Sequence, residues 1–285
     1  MSSKHGKLIP LLKSVMESVL QIHAHQLTYS SPHHDGKHDF SMMLLRVENQ
    51  LNPAFEANLP NWPDVFIDGK KSTMLTKTFF NLPELTQIAD LDLLILSIGE
   101  DVKLEGTALD VLLKRINAND LIFLLKNNTS QNQLGNTTKQ HGTYIKHDAD
   151  PLTALFNLGR VVAKLFSEQL IATDYQDFID MMHISGYGTM YMAPMKSESH
   201  YYLALSQELL GLVLSDPKHQ QVVGLYHSVD LLGQPFNYSY YYETLNLFKN
   251  ELSNTLDNFY QIFSLANTKK SDTTSPYILI AMQSI

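Results

Sequence analysis

Residues 150–182 read DPLTALFNLGRVVAKLFSEQLIATDYQDFIDMM. Asp150 followed by Pro151 is a helix start, because the carboxylate can accept the orphan amides of the first turn and the fixed φ of proline suits the first helical position. From there Leu152, Leu155, Phe156, Leu158, Val161, Val162, Leu165 and Phe166 recur at helical spacing to about Gln169. A stripe this wide needs cover on two sides, as a helix between two domains would have. The Asp174-x-x-Asp177 spacing then marks a second helix start, and the pattern predicts a short helix over 175–182.

Toward the N-terminus, Phe40–Val47 (FSMMLLRV), Leu91–Ser97 (LDLLILS) and Asp120–Leu125 (DLIFLL) are continuous apolar runs of strand length. Helical patterns fill the gaps at 82–89 and 106–117. Strands buried on both faces and alternating with helices predict a parallel sheet, so the first half reads as α/β. The stretch 8–22 carries Leu8, Leu11, Leu12, Val15, Val19 and Leu20 on one side of a helix, interrupted by Lys13 and Glu17. It is not expected to be a signal peptide. Residues 126–143 contain almost no apolar side chain and are expected to form a surface excursion. After the long helix, strands at 187–193, 221–228 and 277–283 and helices at 199–214 and 240–263 predict an α+β second half.

Composition limits function. The 285 residues are 44% hydrophobic, enough for one large domain or two ordinary ones. A net charge of −8 opposes a dedicated nucleic-acid or anionic-membrane binder, which needs a basic face. The apolar runs are too short to span a bilayer. Without cysteine there is no disulfide, thiol nucleophile or Cys-based zinc site, and the cytoplasm is the expected compartment.

The chain from 150 onward resembles the bacterial cell-division GTPase FtsZ, of the tubulin superfamily. In that family the central helix ends in a loop of the form L-I-N-x-D-F-A-D-V-x-x-V-M, and a strand beginning G-Y-A-x-M-G follows. Here Leu170-Ile171-Ala172-Thr173-Asp174-Tyr175-Gln176-Asp177-Phe178-Ile179-Asp180-Met181-Met182 precedes Gly186-Tyr187-Gly188-Thr189-Met190-Tyr191. Ala204 and Leu209–Leu214, ahead of Ser215-Asp216-Pro217, resemble the A-I-S-S-P-L-L segment. Val222–Leu231 (VVGLYHSVDL) resembles V-L-V-N-I-T-x-G-x-D-L, and Tyr277–Ser284 resembles the terminal strand V-x-V-I-A-T-G.

The resemblance implies a tubulin/FtsZ-like two-domain fold, α/β plus α+β, with a long central helix. A degenerate nucleotide-type domain would occupy 1–149, the central helix and its loop 150–182, and an α+β domain 183–285. In FtsZ filaments the loop after the central helix enters the nucleotide pocket of the next subunit, where its carboxylates help polarise the attacking water. Leu170, Ile171, Asp174 and Asp177 are thereby marked as an interaction loop, with Ala172 in place of the family's amide. An Asp-x-x-Asp pair is equally an ordinary cap at a helix start.

FtsZ-like proteins hold GTP with an N-terminal G-x-G-G-x-G-x-N loop and with G-G-G-T-G-T-G between a buried strand and a helix, because glycines let backbone amides approach phosphates. After Leu93–Ser97 this chain has Ile98-Gly99-Glu100-Asp101-Val102-Lys103-Leu104-Glu105-Gly106-Thr107. Gly99 and Gly106 remain, while Glu100, Asp101 and Glu105 stand where a polyanion binds. Like charges about 4 Å apart repel by about 1 kcal/mol in water and about 4 kcal/mol near a protein surface. The chain is also expected to begin at the helix after the N-terminal glycine loop, and to lack the linker and partner-binding peptide that follow the last strand in FtsZ. The implied protein has no catalytic residue acting in cis and no cofactor. It works through contact with a protein partner, an FtsZ/tubulin-like polymer or itself, with no nucleic acid and no direct membrane binding. The alternative is a polymerising GTPase whose rebuilt pocket takes GTP.

Other constellations carry less. His33, His34 and His38, with His23 and His25 upstream, offer nitrogen ligands to a metal, but their spacing follows no ligand pattern and Pro32 and Gly36 mark a surface loop. Gly69-Lys70-Lys71-Ser72-Thr73 fails as a phosphate loop, because Asp64 replaces the first glycine and Lys71 the magnesium-binding hydroxyl residue. Ser185 is not a nucleophile elbow, since His183 and Tyr187 occupy the places of its glycines. Aromatics gather at Tyr201, Tyr202, Phe236, Tyr238, Tyr240, Tyr241, Tyr242 and Phe248, either as an interface or as packing of the helix at 240–263.

Overall fold

Phe40–Val47 is buried at every position, so both faces of this strand are covered. In the computed structural model the described residues are 21–29, 40–48, 66–67, 70–71, 74–79, 90–99, 116, 118–127, 142–166, 169–171, 173–194, 201–252, 259–267 and 276–284. They fall into two compact units, one drawn from Met1–Pro60 and Met74–Gly142 and the other from Asn61–Thr73 and Thr143–Ile285.

The strands of the first unit are β1 (Gln21–Tyr29), β2 (Phe40–Glu48), β5 (Met74–Phe79), β6 (Leu91–Ile98) and β7 (Ala118–Lys126), in the spatial order β5-β1-β2-β6-β7. β2, β6 and β7 run parallel, with Leu44 beside Ile95 and Ile95 beside Ile122. Their uninterrupted Leu, Ile and Met runs are what a sheet covered on both faces requires. The α/β reading of this half therefore holds. β1 runs antiparallel to both its neighbours, pairing Tyr29 with Phe40 and His25 with Thr78. Here the expectation of a helix to residue 22 is wrong at its end: Gln21 and Ile22 open a strand, and His25 and Leu27 point into the sheet core by period-two alternation. β5 was not legible as a strand either, since MLTKTF is half polar. The expected helix at 82–89 lies outside the described residues. So does nearly all of the one at 106–117, whose described member Ile116 lies in a bend.

In the second unit, β3 (Phe66–Ile67) and β4 (Lys70–Lys71) pair antiparallel, so the rejected phosphate-loop lysines belong to a small hairpin. Its main sheet has the order β8-β10-β13-β11-β12-β9, formed by β8 (Thr143–His147), β9 (Gln169–Ile171), β10 (Tyr187–Pro194), β11 (Val222–Asp230), β12 (Tyr260–Ala266) and β13 (Pro276–Gln283). The helices are α1 (Pro151–Leu165), α2 (Tyr175–His183), α3 (Tyr201–Ser215) and α4 (Tyr238–Leu252). Leu205, Leu209 and Val213 of α3 and Phe248 and Leu252 of α4 share one core with Leu225, Phe263 and Leu279 of the sheet. On α2, Phe178 meets Tyr226 edge to face at 5.1 Å. Thr143 begins a strand instead of ending the expected excursion, and its hydroxyl donates to Met182 O.

Two helix ends differ from the periodicity. α1 starts as expected, with Asp150 Oδ2 accepting from Thr153 N at 2.9 Å and Pro151 behind it. It ends at Leu165, not Gln169, because Gln169–Ile171 pairs with β12 as an edge strand. α4 ends at Leu252, and the residues from Tyr260 form a strand where the pattern predicted helix to 263. Residues 253–258 lie outside the described residues.

Candidate functional site

The loop after α1 is built from an edge strand and a capped helix. Leu170 on β9 is 50% exposed, an unusual position for a leucine, while its neighbour Ile171 packs against the core of α3, α4 and the sheet. Asp174 is the N-cap of α2: its Oδ1 accepts from Asp177 N at 2.8 Å. Asp177 and Asp180 follow at a spacing of three, exposed on the same side of the helix, and Gln176 donates to Asp180 Oδ1 at 2.7 Å. All four interaction-loop residues singled out in the sequence thus lie on one short β9–α2 segment. Asp174 does both things the spacing allowed, capping the helix and standing exposed. Two residues without a sequence signal hold the segment: Gln169 and Thr173, buried or half-buried under it.

At the carboxyl edge of the parallel strands of the first unit lies a different chemistry. The next strand of this sheet after β2 in the chain is β5, on one side, whereas the next after β6 is β7, on the other, so the β2/β6 boundary is a topological switch point, where open α/β sheets place ligands. The buried Arg46 donates from Nε to Glu48 Oε1 at 2.8 Å and from Nη1 to Ser97 Oγ at 2.7 Å. Glu48 Oε2 is buried with no hydrogen-bond partner, and Gly99 N donates to Val47 O at 2.8 Å. GTP, raised by the sequence resemblance, needs amides and cations aimed outward at its phosphates. Among the described residues here the one arginine is turned onto a carboxylate and a hydroxyl, the glycine amide is engaged with the neighbouring strand, and one carboxylate oxygen is buried without a hydrogen-bond partner. None of these described donors is left free for a phosphate. Glu100, Asp101, Glu105 and Gly106 lie outside the described residues.

Of the histidines singled out in the sequence as metal ligands, His25 alone has a described side chain. His25 is buried in the middle of β1, and burial pushes it down to about 4. His33, His34 and His38 lie outside the described residues, among which there is no group of three or more His, Asp or Glu able to hold a metal. The described aromatics divide between core and surface. Phe248 is fully buried, Tyr241 meets Phe263 edge to face at 5.2 Å, and Tyr238 and Tyr242 are 68% and 59% exposed. Unforeseen in the sequence is a buried polar chain: His227 Nδ1 lies 2.8 Å from Tyr277 Oη, which in turn accepts from Ser206 Oγ at 3.4 Å.

No protein-family model and no curated protein matches the chain. Among solved structures it is similar to an FtsZ from M. jannaschii, at 14% identity over 68% of this chain and 66% of that one, with a TM-score of 0.50. It is also similar to a CetZ from Methanosaeta thermophila, at 11% identity over 68% of this chain and 61% of that one (TM-score 0.43). A third is the TubZ of Bacillus thuringiensis serovar israelensis, solved as GDP-form protofilaments, at 13% identity over 68% and 60% (TM-score 0.42). The match thus spans less than two thirds of the length of each of these chains. Among the described residues no helix is long and apolar enough to cross a membrane. With parallel β2, β6 and β7, the long helix α1 and the mixed sheet of the second unit, matched to the first of these structures, the chain has an FtsZ/tubulin-like fold.

Proposed function

We propose that this chain is a divergent FtsZ/tubulin-like protein that acts by protein–protein contact through the β9–α2 segment, and that it neither binds nor hydrolyses GTP. The observation that carries this reading is the half-exposed Leu170 beside the exposed row Asp174, Asp177 and Asp180, an apolar knob flanked by carboxylates on a firmly held segment. The partner is an FtsZ/tubulin-like polymer or a second copy of the chain. Loss of the nucleotide is supported by Glu100, Asp101 and Glu105 in place of the glycines and by the turned-in donors Arg46 and Gly99. A partner engaged through one end, with no matching surface at the other, terminates a filament instead of extending it.

The test pairs sedimentation velocity of the chain alone with light scattering of an assembling FtsZ to which substoichiometric chain is added. Inhibited assembly or self-association, weakened in the Asp174→Ala/Asp177→Ala variant, is the expected result. GTP, GDP and ATP at millimolar concentration are expected to leave the melting temperature unchanged, whereas a ligand at 100 times its Kd stabilises by about 2.7 kcal/mol. A nucleotide-dependent shift would favour the polymerising GTPase with a rebuilt pocket.

A further inference from the structure

Gln169 uses its whole carboxamide. Nε2 donates to Lys164 O at 2.9 Å and to Thr173 O at 3.3 Å, while Oε1 accepts from Thr173 N at 3.3 Å and from Ser264 Oγ at 2.8 Å. Two donors and two lone pairs are everything a glutamine side chain has. The three partners belong to three pieces of structure: the last turn of α1, the residue just before the α2 cap, and β12. The main chain of Gln169 meanwhile pairs with Ala266. Thr173 adds a second tie, its hydroxyl donating to Phe263 O at 3.2 Å. Leu170 and Asp174 are therefore bracketed by Gln169, bound to β12 through its main chain and through Ser264, and by Thr173, bound to β12 through its hydroxyl and to Gln169 through its amide.

We propose that Gln169 is the positioning residue of the contact segment: its carboxamide stands in for a missing peptide unit and fixes where Leu170 and Asp174 face the partner. A contact made by a pre-organised segment loses little conformational entropy on binding, so affinity depends on the clamp although Gln169 itself touches no partner. This inference rests on the contact reading given above.

Amide exchange of the full-length chain tests the clamp without any partner. In Gln169→Ala, and in Gln169→Glu, which turns an acceptor toward the carbonyls of Lys164 and Thr173, the amides of Leu170, Ile171, Thr173 and Asp174 are expected to exchange at least about tenfold faster while those of Leu155–Ala163 in α1 keep their protection. Ser264→Ala removes one of the four bonds and is expected to give a smaller change confined to the same amides. Unchanged exchange, or acceleration spread through α1 and β12 in all three variants, overturns the proposal. Self-association or inhibition of FtsZ assembly is expected to weaken in Gln169→Ala about as much as in Asp174→Ala/Asp177→Ala. If the aspartate pair abolishes the contact and Gln169→Ala does not, the positioning role is wrong and the contact stands. If the aspartate pair leaves association unchanged, the contact reading itself has failed.

Discussion

Asp174 Oδ1 accepts the backbone N–H of Asp177 at 2.8 Å, so the first carboxylate of the pair closes the α2 helix start and the second does not. This asymmetry separates stability from contact. Asp174→Ala is expected to cost about 1 kcal/mol as the loss of an N-cap, and Asp174→Asn or Asp174→Ser much less. Asp177→Ala, at an exposed position, is expected to change stability by less than about 0.5 kcal/mol. Urea unfolding of the single variants measures both. If association falls in Asp177→Ala without loss of stability, the carboxylate serves a partner. If only Asp174→Ala changes anything, the pair is a cap.

His227 is enclosed by Phe263, stacked at 5.0 Å, Phe248, edge-on at 4.9 Å, and Tyr277, and burial pushes it down to about 3. The unfolded chain binds a proton near 6.5, whereas the folded chain refuses it. The stability this site provides is thus complete above pH 6.5 and drains away as the pH falls toward about 3. Each such histidine contributes a slope of up to about 1.4 kcal/mol per pH unit inside that window. Unfolding titrations at pH 7.0, 6.0 and 5.0 are expected to show a shallower decline for His227→Phe than for the unaltered chain. Equal slopes would mean that His227 is protonated in the folded state.

Two glycines of the second unit are predicted to differ in their tolerance. A Cβ on Gly188 of β10 meets Ala281 O at 2.9 Å as well as Met282 Sδ at 2.7 Å, and a neighbouring strand's carbonyl cannot retreat without opening the ladder. On Gly224 of β11 the tight contact is Met181 Sδ at 2.6 Å, the far end of a flexible side chain. Gly188→Ala is expected to destabilise by about 2 kcal/mol, as overpacking against backbone does, and Gly224→Ala by under about 1 kcal/mol. Melting curves of the two variants decide it, and the reverse order would show that β10 and β13 can separate more easily than Met181 can turn.

Legibility followed the strength of local signals. Asp150-Pro151 and Asp174 announce caps by residue type, and both are made as side-chain hydrogen bonds. The apolar runs of β2, β6 and β7 could hardly be anything but buried strands of a parallel sheet. Gln169 was read as the end of the helix and Leu170 and Ile171 as loop, and only pairing with β12, far along the chain, makes the three a strand. The residues from Tyr260 were misread for the same reason: YQIFSLA suits either period, and its pairing with β11 is a tertiary choice. In the candidate site the aspartates were legible by their spacing. The clamp was not, because a glutamine in an apolar-polar sequence carries no sign of the four partners it will find. Arg46 and Glu48 are adjacent on one face of β2, yet nothing in FSMMLLRVE says that the arginine turns inward to Ser97.

Lys164 Nζ and Asp230 Oδ2 form an ion pair at 3.2 Å in which both side chains are almost wholly buried, joining α1 to the end of β11. Asp230 Oδ1 also accepts from Leu232 N at 3.1 Å, at a turn where Leu232 has a φ of 51°. Bringing two charges out of water is costly, so the pair as a whole need add little net stability, but either charge left alone is severely penalised. Lys164→Met is therefore expected to destabilise by about 3–5 kcal/mol. Asp230→Asn keeps an oxygen for Leu232 N yet leaves the ammonium without its counter-charge, and the same range is expected. The double variant Lys164→Met/Asp230→Asn is the informative one. With no charge left to bury, its loss is expected to be well below the sum of the single losses, and a coupling energy of about 2 kcal/mol or more would mark the two groups as one unit. Strict additivity in urea unfolding would mean that water reaches the pair and screens it, and that the connection between α1 and β11 depends on packing alone.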